Sequence, residues 1–398
     1  MANVSSSNGL ENRPKLRFPG FDEPWKLHKL NEMLSSRIEK QIPTDNAPLM
    51  AFTSEGGVVP KGERYDRSYL VKNDEKLYKK TEYNDFIYSS NNLDVGSIGL
   101  NKYGTAVISD VYEIFSVKGT TTPTFISELI QRPHILSKIL KYRQGCLYGQ
   151  YRIYAADFLN VFVKVPTIKE QLKIASFLDV LDKRIALQEQ LVKVLKKYKR
   201  GVNKQLLSQI DNSCNCRLGS VCEIVGGGTP DTLHTEYWGN TVEWFTPSEI
   251  GKTKYVSSSV RKLSDIGLNN SSAKLLPIGT VLLTTRATLG EMSIAKRECC
   301  TNQGFQSLIP HQDRVLSEYL YYIQIIIKPW CEKYASGNTF REISKSALSN
   351  CIIPLPDRTR QEEIVKLLSS IDILISAEEG IAMSLSKMRH SLMQQLFI

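Results

Sequence analysis

Residues 166–185 read PTIKEQLKIASFLDVLDKRI, and residues 356–375 read PDRTRQEEIVKLLSSIDILI. A single offset of 190 aligns them without a gap: Pro166 with Pro356, Gln171 with Gln361, Ile174 with Ile364, Leu178 with Leu368, Asp182 with Asp372, and Ile185 with Ile375. The match continues through Leu195 with Leu385 and Gln205 with Gln395. A repeat this long sets the architecture before any weaker signal is weighed. It implies two equivalent halves, each closing with a long helix.

Both copies open with helix-entry chemistry. Thr167 and Glu170 are spaced for a capping box; in the second copy Asp357 can cap, and Thr359 with Glu362 offers another box. The apolar seam then steps by three and four. In copy one it is carried by Ile174, Leu178, Leu181, Ile185, Val192 and Leu195, and in copy two by Ile364, Leu368, Ile371, Ile375, Leu385 and Leu392. Such heptad spacing predicts a coiled coil. Polar residues interrupt both seams at matching places, Gln188 with Glu378 and Lys199 with Arg389. Polar seam residues cost stability but can fix register. Helix one is basic through Lys193, Lys196, Lys197, Lys199, Arg200 and Lys204, whereas helix two carries Glu362, Glu363, Asp372, Glu378 and Glu379. Unlike charges favour pairing of the two helices with each other. About 40 residues at ~1.5 Å each give a rod of roughly 60 Å, against ~34 Å for a turn of DNA.

Around these helices the chain divides into a disordered lead-in (1–13), a first domain (14–165), helix one (166–212), a second domain (213–355) and helix two (356–398). The two domains open alike, with Trp25-Lys26-Leu27-x-x-Leu30 matching Cys216-Arg217-Leu218-x-x-Val221. Both carry short β-rich stretches, Phe86–Ser89 and Val281–Thr284, and both end in a short helix, a glycine turn and a strand running into proline. This mixture predicts an α+β fold.

The 398 residues carry a formal net charge of +10, which points to a polyanion and first to nucleic acid. No apolar run reaches the ~18 residues of a membrane span, and the N-terminus lacks the apolar stretch of a secretory signal. The cysteines show no C-x-x-C pair, so the cluster Cys214, Cys216, Cys222 with His234 is not expected to bind zinc.

The domains diverge in their loops, which are rich in side chains that contact phosphates and base edges. The DNA-binding candidates in the first domain are Ser89, Ser90, Asn91, Lys102, Tyr103, Tyr148, Gln150 and Arg152. In the second they are Thr246, Ser248, Thr284, Thr285, Arg286, Asn302, Gln303, Asn338 and Arg341. Taken singly, each is more often a solvated loop residue or a local cap; the groups carry more weight than their members. Gly226-Gly227-Gly228-Thr229-Pro230 lacks the spacing of a nucleotide-binding loop and reads as a flexible turn able to approach a DNA backbone.

The sequence holds no Walker A motif, no Asn-Pro-Pro-aromatic motif for amino methylation, no Glu-x-Lys triplet, no H-x-x-x-H spacing and no G-x-S-x-G elbow. No catalytic, metal or cofactor residues are therefore expected in this chain.

The twice-used pattern Pro-x-x-x-x-Gln-x-x-Ile-x-x-x-Leu-x-x-x-Asp, over Pro166–Asp182 and Pro356–Asp372, resembles the specificity subunit of type I restriction–modification systems. The lead-in Pro14–Phe21 before Trp25, Thr284-Thr285-Arg286-Ala287 and Asn302-Gln303-Gly304-Phe305 share the resemblance. Glu170 precedes the motif glutamine in copy one, but Arg360 stands there in copy two; the first-domain counterpart of Gln303-Gly304-Phe305 falls at or near Ser109-Asp110-Val111-Tyr112.

The resemblance implies two α/β target-recognition domains, separated by two long antiparallel coiled-coil helices in a pseudo-two-fold repeat. It implies a cytoplasmic bacterial protein that reads a bipartite site in double-stranded DNA. Its partners would be two methyltransferase subunits and two restriction/translocase subunits, which would hold the S-adenosylmethionine, ATP and Mg2+. Two rival readings are a coiled-coil DNA-binding scaffold outside restriction–modification and a fragment of a single-chain restriction–methylation enzyme.

Overall fold

The structure is a computed structural model. It describes residues 13–53, 57–60, 76–91, 93, 97–147, 150–286, 288–337 and 341–398. The chain divides into two compact units, one of residues 1–188 with 381–398, the other of residues 189–380. Both divisions fall inside the long helices, Ile168–Ser208 and Arg358–Leu396. Each unit thus takes the first part of one helix and the last part of the other.

In the first unit, a ribbon of Lys26–Lys29 against Phe162–Val165 closes the domain where the chain enters and leaves it. Beside it, a four-stranded antiparallel sheet runs in the order Leu34–Ser36, Tyr112–Val117, Phe86–Ser89, Ile98–Leu100. Phe86, Tyr88, Phe115, Phe125 and Phe158 fill its core with almost no exposure. Ile174 and Leu178 of the first long helix join that core, as do Met393, Leu396 and Phe397 of the chain's end. Phe397 stacks on Phe125 with ring centroids 5.4 Å apart and meets the edge of Trp25. The lead-in chain passes the same place, where the Leu16 amide donates to the Gln395 carbonyl at 2.9 Å.

The second unit repeats the plan. Its ribbon pairs Asn215–Arg217 with Ile352–Pro354. Its main sheet has five strands, ordered Cys222–Gly226, Gln306–Pro310, Val281–Leu283, Met292–Ala295, Tyr255–Val256. A further sheet joins Trp238–Gly239, Arg261–Leu263, Val242–Phe245 and Cys299–Thr301, where the first unit has a three-stranded sheet of Lys40–Gln41, Tyr78–Thr81 and Ala106–Ile108 and a ribbon of Met50–Thr53 with Gly57–Pro60. Ile364, Leu368, Ile371 and Ile375 of the second long helix lie in this unit's core with Leu207 of the first. Leu207 stands where Phe397 stands in the other copy.

The seam expected from the heptads is therefore the buried stripe of both helices. Its entry positions serve the domain cores as well as the helix pair, while Leu181, Ile185, Leu195, Leu385 and Leu392 are only half-buried. The helices run antiparallel in each unit, joined by polar residues that the repeat placed in register. Arg389 binds Asp182 and also Glu128, at 2.7 Å. In the other unit Lys199 binds Asp372 at 2.5 Å, and Asp372 also accepts from the Tyr322 hydroxyl at 2.7 Å. The lysine–arginine interruptions thus do not face each other; each meets the aspartate of the opposite copy.

The motif glutamines have matching roles. Gln171 donates to the Pro166 carbonyl and Gln361 to the Pro356 carbonyl, both at 3.0 Å. Gln171 also accepts from Thr121, and Gln361 accepts from the Leu316 amide. Each is fully enclosed and ties the first turn of its helix to the body of its domain. Helix entry departs from the expected boxes. The Glu170 carboxylate binds Arg17 of the lead-in rather than closing a box with Thr167. Asp357 does cap, accepting from the Arg360 amide at 2.8 Å, but Thr359 lies inside the helix and Glu362 pairs with Arg358. No helix among the described residues is long and apolar enough to cross a membrane. No group of three or more His, Cys, Asp or Glu among them is placed to hold a metal.

Candidate nucleic-acid interface

The strand register shows which loops of the two units correspond. In the first unit Ser89 pairs with Tyr112, and the Ser90 amide donates to the Val111 carbonyl at 2.9 Å. In the second, Thr284 bridges Phe305, and the Thr285 amide donates to the Gly304 carbonyl at 2.7 Å. Ser89-Ser90-Asn91 and Thr284-Thr285-Arg286 therefore occupy one position, at the end of a central strand. Likewise Lys118 donates to the Met33 carbonyl and His311 to the Val221 carbonyl, so the facing strands match. Asp110 is then the counterpart of Gln303, as the sequence placed it.

A third loop meets the same strand end. Asn91 forms a β-bridge with Arg152 in the first unit. In the second, Arg286 forms an ion pair with Glu342, 190 residues on from Arg152, at 2.9 Å. Each unit thus gathers the end of a central strand, the turn before its neighbour, and the turn before the last short helix. These are three of the segments from which the DNA-binding candidates were drawn. Thr246 and Ser248 join them in the second unit. The Asn302 amide donates to the Phe245 carbonyl, and a Cβ on Gly304 would meet the Pro247 ring at 2.9 Å.

Several candidates nevertheless lie inside the loops instead of on them. Ser90, Thr284 and Thr285 are at most 1 % exposed. The Ser90 hydroxyl donates to the Val111 carbonyl at 2.7 Å, and the Thr284 hydroxyl accepts from the Glu291 amide at 3.0 Å. The Ser90 and Thr284 hydroxyls satisfy loop backbone in place of water, while the Thr285 hydroxyl is buried with no hydrogen-bond partner. Burial of all three corrects the expectation that they reach DNA. Lys102 and Tyr103 are exposed, but on the loop that follows Ile98–Leu100, beside Asn84, at the start of the strand that ends at Ser89. Antiparallel pairing puts them at the opposite edge from the other candidates. Tyr148 and Asn338 lie outside the described residues, as does the side chain of Gln150.

The exposed candidates are held by specific partners. Gln303 accepts from the Thr229 hydroxyl, while Asn302 accepts from the Gly304 amide at 2.9 Å and shapes the turn. Arg341 donates to the Glu332 carbonyl. Arg152 lies against the Tyr154 ring at 5.0 Å and donates to Glu113 at 3.3 Å. Glu113 and Glu342 were not singled out in the sequence, because only the fold brings them to these arginines. Arg261, stacked on Trp238 with its guanidinium 3.4 Å from the ring centroid, was also missed.

The triple glycine has a different role from the flexible turn expected. A Cβ on Gly227 would lie 2.0 Å from the Asn302 carbonyl oxygen, and one on Gly228 would lie 2.3 Å from Ser272. The Trp244 indole donates to the Gly228 carbonyl at 3.0 Å. The glycines let this strand end press against the turn that presents Gln303.

A second surface lies on the helices. In the first unit Phe177, Val180 and Leu187 are exposed with Ile381 and Met388; in the second, Leu191, Val194 and Tyr198 are exposed with Leu367 and Leu374. At the offset of 190, Phe177 matches Leu367, Leu191 matches Ile381 and Tyr198 matches Met388. Both units thus bare an apolar stripe of heptad spacing outside the buried seam, and contiguous exposed apolar surface marks interaction sites.

Comparison with known proteins agrees with the two-copy plan of the chain. A family profile described as the type I restriction modification DNA specificity domain matches residues 22–197 and again 211–386. The chain is 35 % identical over 186 residues to the type I restriction enzyme MjaIX specificity subunit of Methanocaldococcus jannaschii, covering 46 % of this chain and 43 % of that protein. It is 28 % identical over 217 residues to the EcoR124I/EcoR124II specificity subunit of Escherichia coli, covering 51 % and 52 %. The chain spans about half the length of these curated relatives. In fold, it matches a chain from a structure described as the basis of complex assembly and conformational transition of the type I R-M system, with a TM-score of 0.60, 19 % identity and coverage of 96 % and 99 %. It also matches the S subunit of M. genitalium, with a TM-score of 0.56, 14 % identity and coverage of 97 % and 99 %. With two copies of the signature domain spanning most of its length, the chain belongs to the type I restriction–modification DNA specificity family.

Proposed function

We propose that this chain is the sequence-reading, non-catalytic subunit of a type I restriction–modification complex, with each unit reading one half of a bipartite site in double-stranded DNA. The observation that carries this reading is the pair of matched loop clusters. The backbone hydrogen bonds that build them recur, Ser90 to Val111 and Thr285 to Gly304, while the side chains presented differ, Asn91 and Asp110 against Arg286 and Gln303. A common frame holding different side chains suits two readers of different half-sites. Ser89, Asn91 and Arg152 in the first unit, and Thr246, Ser248, Arg286, Asn302, Gln303 and Arg341 in the second, are the proposed contacts.

The apolar stripes on the helices support docking of two methyltransferase subunits, one per unit. These subunits would bind S-adenosylmethionine and flip an adenine out of each half-site. Two motor–nuclease subunits using ATP and Mg2+ would complete a restricting complex. The helix pair would then set the length of the unread gap. Sequencing of modified bases in a host expressing the chain with its methyltransferase tests the reading: N6-methyladenine should appear at a two-part motif with a fixed gap. A single continuous methylated site would refute it.

A further inference from the structure

We propose that Arg286 and Arg152 are the guanine-reading residues of the two units, each aimed by a carboxylate of its own domain, Glu342 and Glu113. This rests on the DNA-reading role proposed above and adds which side chains discriminate bases and which base they select.

Both arginines sit at the same junction, where the end of the central strand meets the turn before the last short helix. They sit on opposite sides of it. In the second unit the arginine is on the strand end and its glutamate on the turn, joined at 2.9 Å. In the first unit the strand end carries Asn91, and Arg152 closes the short strand Gln150–Arg152 before the last short helix; the carboxylate comes from Glu113 on the neighbouring strand Tyr112–Val117, at 3.3 Å, which also holds Lys79 at 3.0 Å. Two unrelated solutions therefore deliver the same result, a guanidinium paired with a carboxylate at one place in the frame.

The pairing favours a base edge over a phosphate. Arg286, paired one-to-one with Glu342, adds little net charge, so it would contribute little to phosphate attraction, which depends on charge. Arg152 shares Glu113 with Lys79, and its assignment rests on its matching place in the frame. What the carboxylate supplies is direction. Glu342 is itself fixed, its backbone exchanging hydrogen bonds with Ser336 at 2.9 and 3.0 Å. The ion pair runs through a terminal nitrogen of Arg286, and the side chain stays 43 % exposed; a guanidinium carries five donors, more than one carboxylate takes up. A fixed fork with free donors matches the two acceptors, O6 and N7, that guanine alone presents in the major groove. Its neighbour across the Thr285–Gly304 bond, Gln303, is also exposed and held by Thr229, so the cluster presents a directed cation beside a directed amide.

The test uses the full chain in complex with its methyltransferase subunit. The motif methylated by the wild-type complex is established first, and binding is then measured to duplexes carrying each single base-pair change. Each wild-type half-site is expected to contain a G·C pair at which substitution is costly. Arg286→Lys keeps the charge but loses the fork. It should lower discrimination at one G·C pair of a single half-site by ten-fold or more while leaving the other half-site unchanged; Arg152→Lys should do the same in the other half. Glu342→Ala frees the Arg286 charge, so it should tighten binding to mismatched duplexes, steepen the salt dependence and flatten discrimination at that same pair. The proposal is overturned if Arg286→Lys retains full discrimination, or if Arg286→Gln weakens all duplexes equally and reduces the salt slope by about one, the mark of a phosphate contact. Should the wild-type complex methylate no bipartite motif, the sequence-reading role itself fails, which is a separate outcome.

Discussion

Lys254 shows how a single residue couples a recognition domain to the long helices. Its ammonium donates to the Tyr322 hydroxyl and to the Ser369 hydroxyl of the second long helix, both at 3.0 Å. It also lies against the Tyr322 ring, 4.5 Å from its centroid. Burial lowers its pKa below 10.5; Lys199 adds to the shift, and Glu318 and Asp372 oppose it. The unfolded chain therefore holds this proton more tightly than the folded one, and stability rises with pH across the interval between the two values. Relative to Lys254→Met, the wild-type protein should gain stability as pH climbs from neutral toward 10.5. Urea midpoints of both proteins at stepped pH check this, and a difference that stays constant with pH would contradict it. At the same scale, residue type alone misled about Ser90, Thr284 and Thr285. Small hydroxyl side chains suit both DNA contact and the capping of buried backbone, and only burial tells these roles apart.

At the scale of elements, the last turn of the second long helix is part of the first unit's core. Met393, Leu396 and Phe397 are at most 5 % exposed, packed with residues from the domain's other end. Phe397→Ala should cost about 3–5 kcal/mol, the usual range for a buried phenylalanine. The loss should fall on the unfolding transition of the first unit. The second unit has its own counterpart, Leu207, and should hold its transition; calorimetry or denaturant titration with unit-specific probes would separate the two. Equal loss in both transitions would mean that the units do not unfold separately. The helices themselves were legible because their heptads persist and match between copies. Their double duty was not, since a seam residue has the same pattern whether it meets a partner helix or a domain core.

For the whole molecule, the proposed ruler makes a quantitative prediction. Inserting seven residues at the middle of both long helices lengthens each by about 10 Å at ~1.5 Å per residue and keeps the seam on one face. At ~3.4 Å per base pair, the gap of the methylated motif should widen by about three base pairs, with both half-sites unchanged. Methylome sequencing of the variant reads both quantities, and altered half-sites would show that the helices do more than set distance. The charge of +10 fits such a surface but locates nothing.

The sequence by itself determined the repeat, the two long helices with their buried stripe, the α+β domains, and the matching of Gln303 to the neighbourhood of Asp110. These are carried by local period and by comparison of one half with the other, so no long-range contact is needed to read them. Tertiary structure alone decided the partners: Arg389 with Asp182, Lys199 with Asp372, Gln171 with Thr121, Gln361 with the Leu316 amide, and the carboxylates Glu342 and Glu113 with Arg286 and Arg152. It also decided which polar loop residues face inward. Both outcomes depend on residues distant in sequence being brought within hydrogen-bond reach by strand register and helix packing, and composition and periodicity carry no record of that.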